Sequence, residues 1–210
     1  MSEEIVKGRD VTILFDGEKC VHSRNCVLDR PDVFVPAIDG EWIYPDRASV
    51  AEIAMLAKNC PSGAIRYQMN DKTKGEKAPL VNIIRIRENG PLALNAEIAT
   101  DEGSLGYRAT LCRCGHSSRK PFCDGSHTAA EFTATGEVAI QEFTALERRD
   151  GVLLVTPLKN GPLQVKGNHE LVTGTGKTTN KLEDSYLCRC GQSANKPYCD
   201  GSHARVGFTS

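Results

Sequence analysis

Apolar and polar positions divide the chain into two regimes. In the first, Val11-Thr12-Ile13-Leu14-Phe15 is a β-branched and aromatic run that predicts a strand. Ser49–Lys58 places apolar residues at 50, 53, 54 and 57, the spacing of one helix face, and Ile65-Arg66-Tyr67 predicts a further strand. Beyond residue 80 the apolar runs are short and broken by Gly and Pro: Val81–Ile86, Leu92–Leu94, Val138–Ile140, Val152–Val155 and Pro162–Val165. These predict strands and no long helix. The stretch Gln68–Pro79 between the regimes is rich in Lys, Asp and Gly, has no periodicity and reads as a linker. The expected organisation is a small domain over 1–70, a linker over 71–79 and a β-rich domain over 80–210, α+β overall.

The second regime repeats itself. At an offset of 76, Leu111-Cys112-Arg113-Cys114-Gly115 through Phe122-Cys123-Asp124-Gly125-Ser126-His127 matches Leu187-Cys188-Arg189-Cys190-Gly191 through Tyr198-Cys199-Asp200-Gly201-Ser202-His203. Phe132-Thr133 and Phe208-Thr209 follow each histidine at the same distance, and Asn89-Gly90-Pro91-Leu92 precedes one block as Asn160-Gly161-Pro162-Leu163 precedes the other. Each copy is thus an extended segment, a variable middle and a cysteine block.

Composition narrows the chemistry. With 26 basic and 27 acidic residues the formal charge is −1, which gives no electrostatic case for nucleic acid or an anionic membrane. No apolar run is long enough to cross a bilayer, and Met1-Ser2-Glu3-Glu4 has no signal-peptide character, so a cytoplasmic protein is expected. In that compartment nine cysteines, six of them in two short segments, point to metal rather than disulfides.

Each block supplies Cys, one residue, Cys, eight residues, Cys, three residues, His. If Asp124 or Asp200 opens a helical turn, the Cys and His at i and i+4 share one face and reach the same metal. Cys112 with Cys114, and Cys188 with Cys190, are too close on an extended chain to straddle a compact site, yet each pair can hold one iron of two. A Cys3His zinc site uses the same donors.

The full pattern C-x-C-x2-S-x3-P-x-C-D-G-S-H, present at 112–127 and at 188–203, resembles the signature of CDGSH iron–sulfur domains of the mitoNEET type. The resemblance implies a 2Fe-2S cluster in each copy, with Cys112 and Cys114 on one iron and Cys123 and His127 on the other, then Cys188 and Cys190 facing Cys199 and His203. Single-motif members form homodimers, so tandem copies imply an internal pseudo-two-fold arrangement and a monomer. A neutral imidazole in place of a thiolate raises a cluster's potential and gives it a titrating ligand. His116 and His169 lie outside the pattern and are expected on the surface with no metal role. Arg113, Arg189, Lys120 and Lys196 are expected to be solvated charges near an anionic centre.

Cys20-Val21-His22-Ser23-Arg24-Asn25-Cys26, with Pro31, Phe34 and Cys60-Pro61-Ser62-Gly63, resembles the divergent 4Fe-4S mono-cluster ferredoxin-like domain, with Ser23 where a second cysteine would stand. Three readings stay open: a 3Fe-4S cluster on Cys20, Cys26 and Cys60, a 4Fe-4S cluster with His22 or Ser23 as fourth ligand, or no cluster. Gly174–Thr179 imitates a phosphate loop, but Leu171 occupies the position of its first glycine. No catalytic nucleophile is indicated, so the chain is expected to be an electron carrier rather than an enzyme. The alternatives are cluster storage and transfer, or a structural zinc module. The expected partner is a redox protein or an apo iron–sulfur acceptor.

Overall fold

The computed structural model describes residues 3–36, 39–71 and 75–210, so residues 72–74 of the expected linker lie outside the described residues. The chain forms two compact units, Met1–Lys77 and Ala78–Ser210.

In the first unit, strands β1 (Glu4–Lys7), β2 (Val11–Phe15) and β3 (Ile65–Met69) form an antiparallel sheet in that order. Between β2 and β3 lie the short helix α1 (Asn25–Asp29), a 3-10 turn at Pro45–Arg47 and helix α2 (Val50–Asn59). Ser49 and Glu52 cap α2 reciprocally, each side chain bonding the other's backbone amide. The helix buries Ile53, Leu56 and Ala57 against Val11, Ile13, Phe34, Ile43 and Ile65. Trp42 sets its ring edge-on to Phe15 at 4.9 Å and closes one side. β3 runs on into the polar stretch and Gln68 bridges Gly75, so the start of the expected linker belongs to the sheet.

The second unit consists of two three-stranded meanders. β4 (Ile83–Ile86), β5 (Leu92–Thr100) and β6 (Gly103–Leu111) make the first, and β7 (Val152–Pro157), β8 (Leu163–Val172) and β9 (Thr178–Leu187) the second. The leading strand of each also pairs in parallel with the middle strand of the other: β4 with β8, and β7 with β5. The pairings β4–β5, β5–β7, β7–β8 and β8–β4 therefore close on themselves. Closure leaves each of these strands paired on both sides and encloses Ile84, Ile86, Leu94, Ile98, Leu153, Val155, Val165 and Leu171, all but fully buried.

The only helices of this unit among the described residues are the four-residue α3 (Ser126–Ala129) and α4 (Ser202–Arg205). Val138–Ile140 is not a strand; Gln141, just beyond, donates its amide to the Thr179 carbonyl and holds this segment to the outside of β9. β1, β6 and β9, where charged and small residues interrupt the apolar runs, had no counterpart among the expected strands. No helix among the described residues is long and apolar enough to cross a membrane.

Candidate metal centres

β6 and β9 each deliver the first cysteine of a block. Beyond Leu111 the chain turns and comes back through the cis Lys120–Pro121 bond, so that Phe122 bridges Leu111. The Cys112 amide then donates to the Pro121 carbonyl at 2.8 Å and the Cys123 amide to Thr110 at 2.9 Å. The second copy repeats this: Leu187 bridges Tyr198, Cys188 donates to Pro197 at 2.7 Å and Cys199 to Tyr186 at 2.9 Å. A two-residue ladder thus brings the halves of each block together.

Within each block the donors stand in pairs. Cys112 Sγ lies 3.7 Å from Cys114 Sγ, and Cys123 Sγ lies 3.4 Å from His127 Nδ1. In the second copy the separations are 3.8 Å for Cys188 and Cys190 and 3.3 Å for Cys199 and His203 Nδ1. Metal–sulfur bonds of about 2.3 Å and metal–nitrogen bonds of about 2.0 Å at a tetrahedral angle require about 3.8 Å between two sulfurs and about 3.5 Å between sulfur and nitrogen. Each pair therefore fits one tetrahedral metal ion. Among the described residues no three Cys, His, Asp or Glu side chains gather around a single ion position.

The repeated polar residues hold the halves in register. Asp124 accepts from the Ser126 amide with one oxygen and from the Ser118 amide and hydroxyl with the other; Asp200 accepts from the Ser202 and Ala194 amides. Burial opposes ionisation of Asp124, but the bonds from Ser126 and Ser118 outweigh it and keep its carboxyl well below the usual range. Asp200 is pulled down by the bonds from Ser202 and Ala194. Ser117 and Ser193 donate to the Phe122 and Tyr198 carbonyls, both at 2.6 Å, and Lys120 and Lys196 donate to the Ser117 and Ser193 carbonyls. The helical turn opens at Ser126 and Ser202 instead of at the aspartates. Cys123 and Cys199 precede it, with left-handed Gly125 and Gly201 carrying the chain between donors.

Backbone amides also point at sulfur: His116 at Cys114 and Gly125 at Cys123, both at 3.4 Å, with Gln192 and Gly201 in the same roles. Such bonds favour thiolate over thiol and make a bound cluster easier to reduce. In the Cys112–Cys114 pair the Cys114 thiol and nearby amides lower the first ionisation, at Cys112, and the resulting thiolate raises the second, at Cys114. Burial pushes the Cys123 thiol up to about 11 and His127 below its ordinary value.

Two expectations are corrected here. Arg113 and Arg189 are not solvated: they are 1% and 3% exposed. The Arg113 guanidinium donates to the carbonyls of Arg87, Gly90, Ala134 and Thr135, and Arg189 to those of Leu158 and Gly161 and to Ser210 Oγ. This explains the upstream repeat: each Asn-Gly-Pro-Leu turn offers carbonyls to its copy's arginine, while Asn89 and Asn160 accept from the amides of Ala134 and Ser210. The sequence signal was the pairing of an Arg present in both copies with a distant repeated turn. His169 is likewise fully buried, with Nδ1 2.7 Å from the Gly167 carbonyl and Nε2 2.9 Å from Ser185 Oγ. His116 is exposed.

In the first unit Cys20, Cys26 and Cys60 come from the loop after β2, from α1 and from the end of α2. They line one mainly apolar cavity of about 560 Å³ with Phe15, Val27 and Trp42, and His22 and Ser23 stand on the same wall. The Cys60 sulfur accepts from the Ile65 amide and the Cys20 sulfur from the His22 amide, both at 3.4 Å. Burial raises the Cys26 thiol, and Cys60 and Cys20 are close enough to raise it further.

Comparison with known proteins agrees with this division. A family model described as iron-binding zinc finger, CDGSH type, matches residues 89–128 and again 160–204. One described as divergent 4Fe-4S mono-cluster matches residues 6–70. The chain is 30% identical over 91 residues to CDGSH iron-sulfur domain-containing protein 1 of Mus musculus, which is 43% of this chain and 74% of that protein. It is 34% identical over 61 residues to Uncharacterized protein YjdI of Escherichia coli (strain K12), 29% of this chain and 79% of that one.

Proposed function

The chain belongs to the CDGSH iron–sulfur domain family, with a divergent 4Fe-4S mono-cluster domain ahead of its two motifs, and from this we propose that it is a non-enzymatic electron carrier built on two 2Fe-2S centres. Iron–sulfur binding itself follows from the family. The observation that carries the finer reading is the pairing of donors: two sulfurs at 3.7 Å on one side of each block, a sulfur and Nδ1 at 3.4 Å on the other. Two pairs suit a two-iron cluster, whereas a zinc site needs four donors around one point.

Cys112 and Cys114 would hold one iron, Cys123 and His127 the other, and Cys188, Cys190, Cys199 and His203 the second cluster. A cluster there supplies one-electron chemistry. The chain's own residues aim backbone amides at the Cys114 and Cys123 sulfurs, keep water from the Cys-x-Cys side and fix the ligating nitrogen as Nδ1. The reciprocal pairing of β4 with β8 and β7 with β5 supports an internal pseudo-two-fold arrangement, and with it a monomer that docks a redox protein.

The first unit would hold a third centre on Cys20, Cys26 and Cys60. His22 and Arg24 adopt left-handed backbone conformations in the loop between Cys20 and Cys26, a local cost of about 1–3 kcal/mol each that ligand-holding loops commonly carry. A second reading, cluster delivery to an apo acceptor, draws on the half-buried His127 and His203, which protons reach more easily than they reach the buried Cys112 and Cys114.

The deciding experiment is an absorption spectrum of anaerobically purified protein with iron, sulfide and zinc counted per chain. Visible charge-transfer bands that bleach and recover on reduction and reoxidation support the carrier. Loss of colour to an apo acceptor supports delivery, and a colourless zinc protein refutes both.

A further inference from the structure

The two blocks touch through their Cys-Gly turns. Gly115 and Gly191 have left-handed backbones, and each lies against the second cysteine of the other copy. A methyl group on Gly115 would sit 2.6 Å from the Cys190 carbonyl oxygen and 3.3 Å from the Cys190 Cα, and one on Gly191 would meet Cys114 in the same way, so bare backbone packs on bare backbone. With a step of about 3.8 Å between neighbouring Cα atoms, these contacts hold the Cys114 and Cys190 Cα atoms within about 9 Å of each other and their sulfurs within about 14 Å, whatever the rotamers.

The donor pairs of each block face different surroundings. Cys112, Cys114, Cys188 and Cys190 are buried, whereas His127 and His203 in the other pairs are half-buried and reach solvent. Each block therefore has an inner side, whose second cysteine touches the other copy, and an outer side open to a partner. The exposed residues beside the two blocks also differ, Ser118 and Arg119 in the first against Ala194 and Asn195 in the second.

We infer that the two centres form one electron relay, in which the contacts of Cys114 with Gly191 and of Cys190 with Gly115 carry an electron between the copies. The relay rests on the two centres proposed above. Tunnelling weakens steeply with distance and with every gap in a bonded path, and here the path from the Cys114 sulfur to the Cys190 sulfur crosses a single contact between backbone atoms. A donor protein gives one electron at one histidine side; the first centre is reoxidised as the second is reduced, and an acceptor protein takes the electron at the other histidine side. No bond forms or breaks. The unlike exposed residues give the chain two docking faces, so donor and acceptor can be different redox proteins.

The test follows one electron. In full-length protein, His127→Cys gives the first centre four thiolate ligands, which lowers its potential below that of the second and gives it a distinct EPR signal. After flash photoreduction of both centres in part, rapid-freeze EPR is expected to show the first signal decaying as the second rises, at a rate that does not change when the protein is diluted. His203→Cys reverses the direction. A rate that falls in proportion to dilution, or signals that keep their initial ratio, overturns the relay.

A second measurement needs no ligand exchange. Fully reduced unsubstituted protein is expected to give broader EPR lines than Cys199→Ser protein, in which only the first centre is loaded, because two unpaired spins this close couple; lines of equal width overturn the relay. Iron and sulfide counted on the same samples separate the two kinds of failure. Unsubstituted protein with fewer than two centres per chain refutes the carrier, and two loaded centres without exchange refute the relay alone.

Discussion

Cys123 and Cys199 occupy the same place in the two copies, 3.4 and 3.3 Å from their histidines. Ile98 and His169 also occupy the same place, each just past the bulge in the middle strand, yet one is an apolar core residue and the other a buried imidazole. Ala109 and Ser185, opposite Leu94 and Val165, differ likewise, and His169 bonds Ser185 where Ile98 and Ala109 only pack. Around Asp124 the serine hydroxyl of Ser118 adds a bond that Ala194 cannot give Asp200; Arg205 approaches Asp200 at 3.9 Å where the first copy has Ala129. Donor spacing, the aspartate bonds to both halves of the block, the buried arginine and the Cys-Gly turn are common to both copies because metal geometry and mutual contact allow little else. Beyond them each copy needs only to fill its share of the core, and different residues do that.

Removing a donor breaks the comparison most completely. Cys123→Ser and Cys199→Ser are each expected to lose one centre and keep the other, roughly halving the iron of this unit; metal analysis with visible absorption checks it. Cys60→Ser should leave both motif centres intact.

Next come the glycines where the copies meet. Gly115→Ala and Gly191→Ala each add a methyl against the opposite backbone at a left-handed φ of 85° or 79°. About 2–4 kcal/mol of stability should be lost, and each substitution should loosen both centres, measured as a lower urea midpoint and faster loss of the visible bands.

A smaller effect separates the copies by pH. Burial holds the His169 imidazole below its ordinary value of 6.5, so the neutral form is the one that fits the fold. Its contribution is complete above that ordinary value and is lost as pH falls through it towards the lowered folded value. His169→Ile with Ser185→Ala, which gives the second copy the residues of the first, should reduce the difference between urea midpoints at pH 7 and pH 5. Smallest of all, Ser118→Ala removes the bond by which the first copy's aspartate exceeds the second's, costing about 0.5–1 kcal/mol and bringing the two centres' rates of cluster loss closer together.

Much of this was legible from the chain. The strand at Val11–Phe15, the α2 face and the leading part of each meander follow from apolar spacing, and the donor set follows from the repeat. β6 and β9 were not legible, because both carry charged and small residues along an outer strand whose partner supplies the apolar contact. The burial of Arg113, Arg189 and His169 was missed for a common reason. Charged and titratable residues sit on the surface unless a set of buried carbonyls or hydroxyls receives them, and apart from the Gly167 carbonyl those partners are 16 to 31 residues away.

The amino-acid sequence by itself determined the pairing of the candidate donors, because Cys-x-Cys and Cys-x3-His place their atoms within one or two local turns and need little beyond backbone geometry. It also determined that there are two such sites, since the motif is written twice. Only the tertiary structure decided that the two copies share one closed set of strands, that their Cys-Gly turns abut, and that each arginine is buried among carbonyls far away in the chain. Those relations depend on strands far apart in the chain pairing in parallel, β4 with β8 and β7 with β5, and that pairing is set by how apolar faces are buried together rather than by any local pattern.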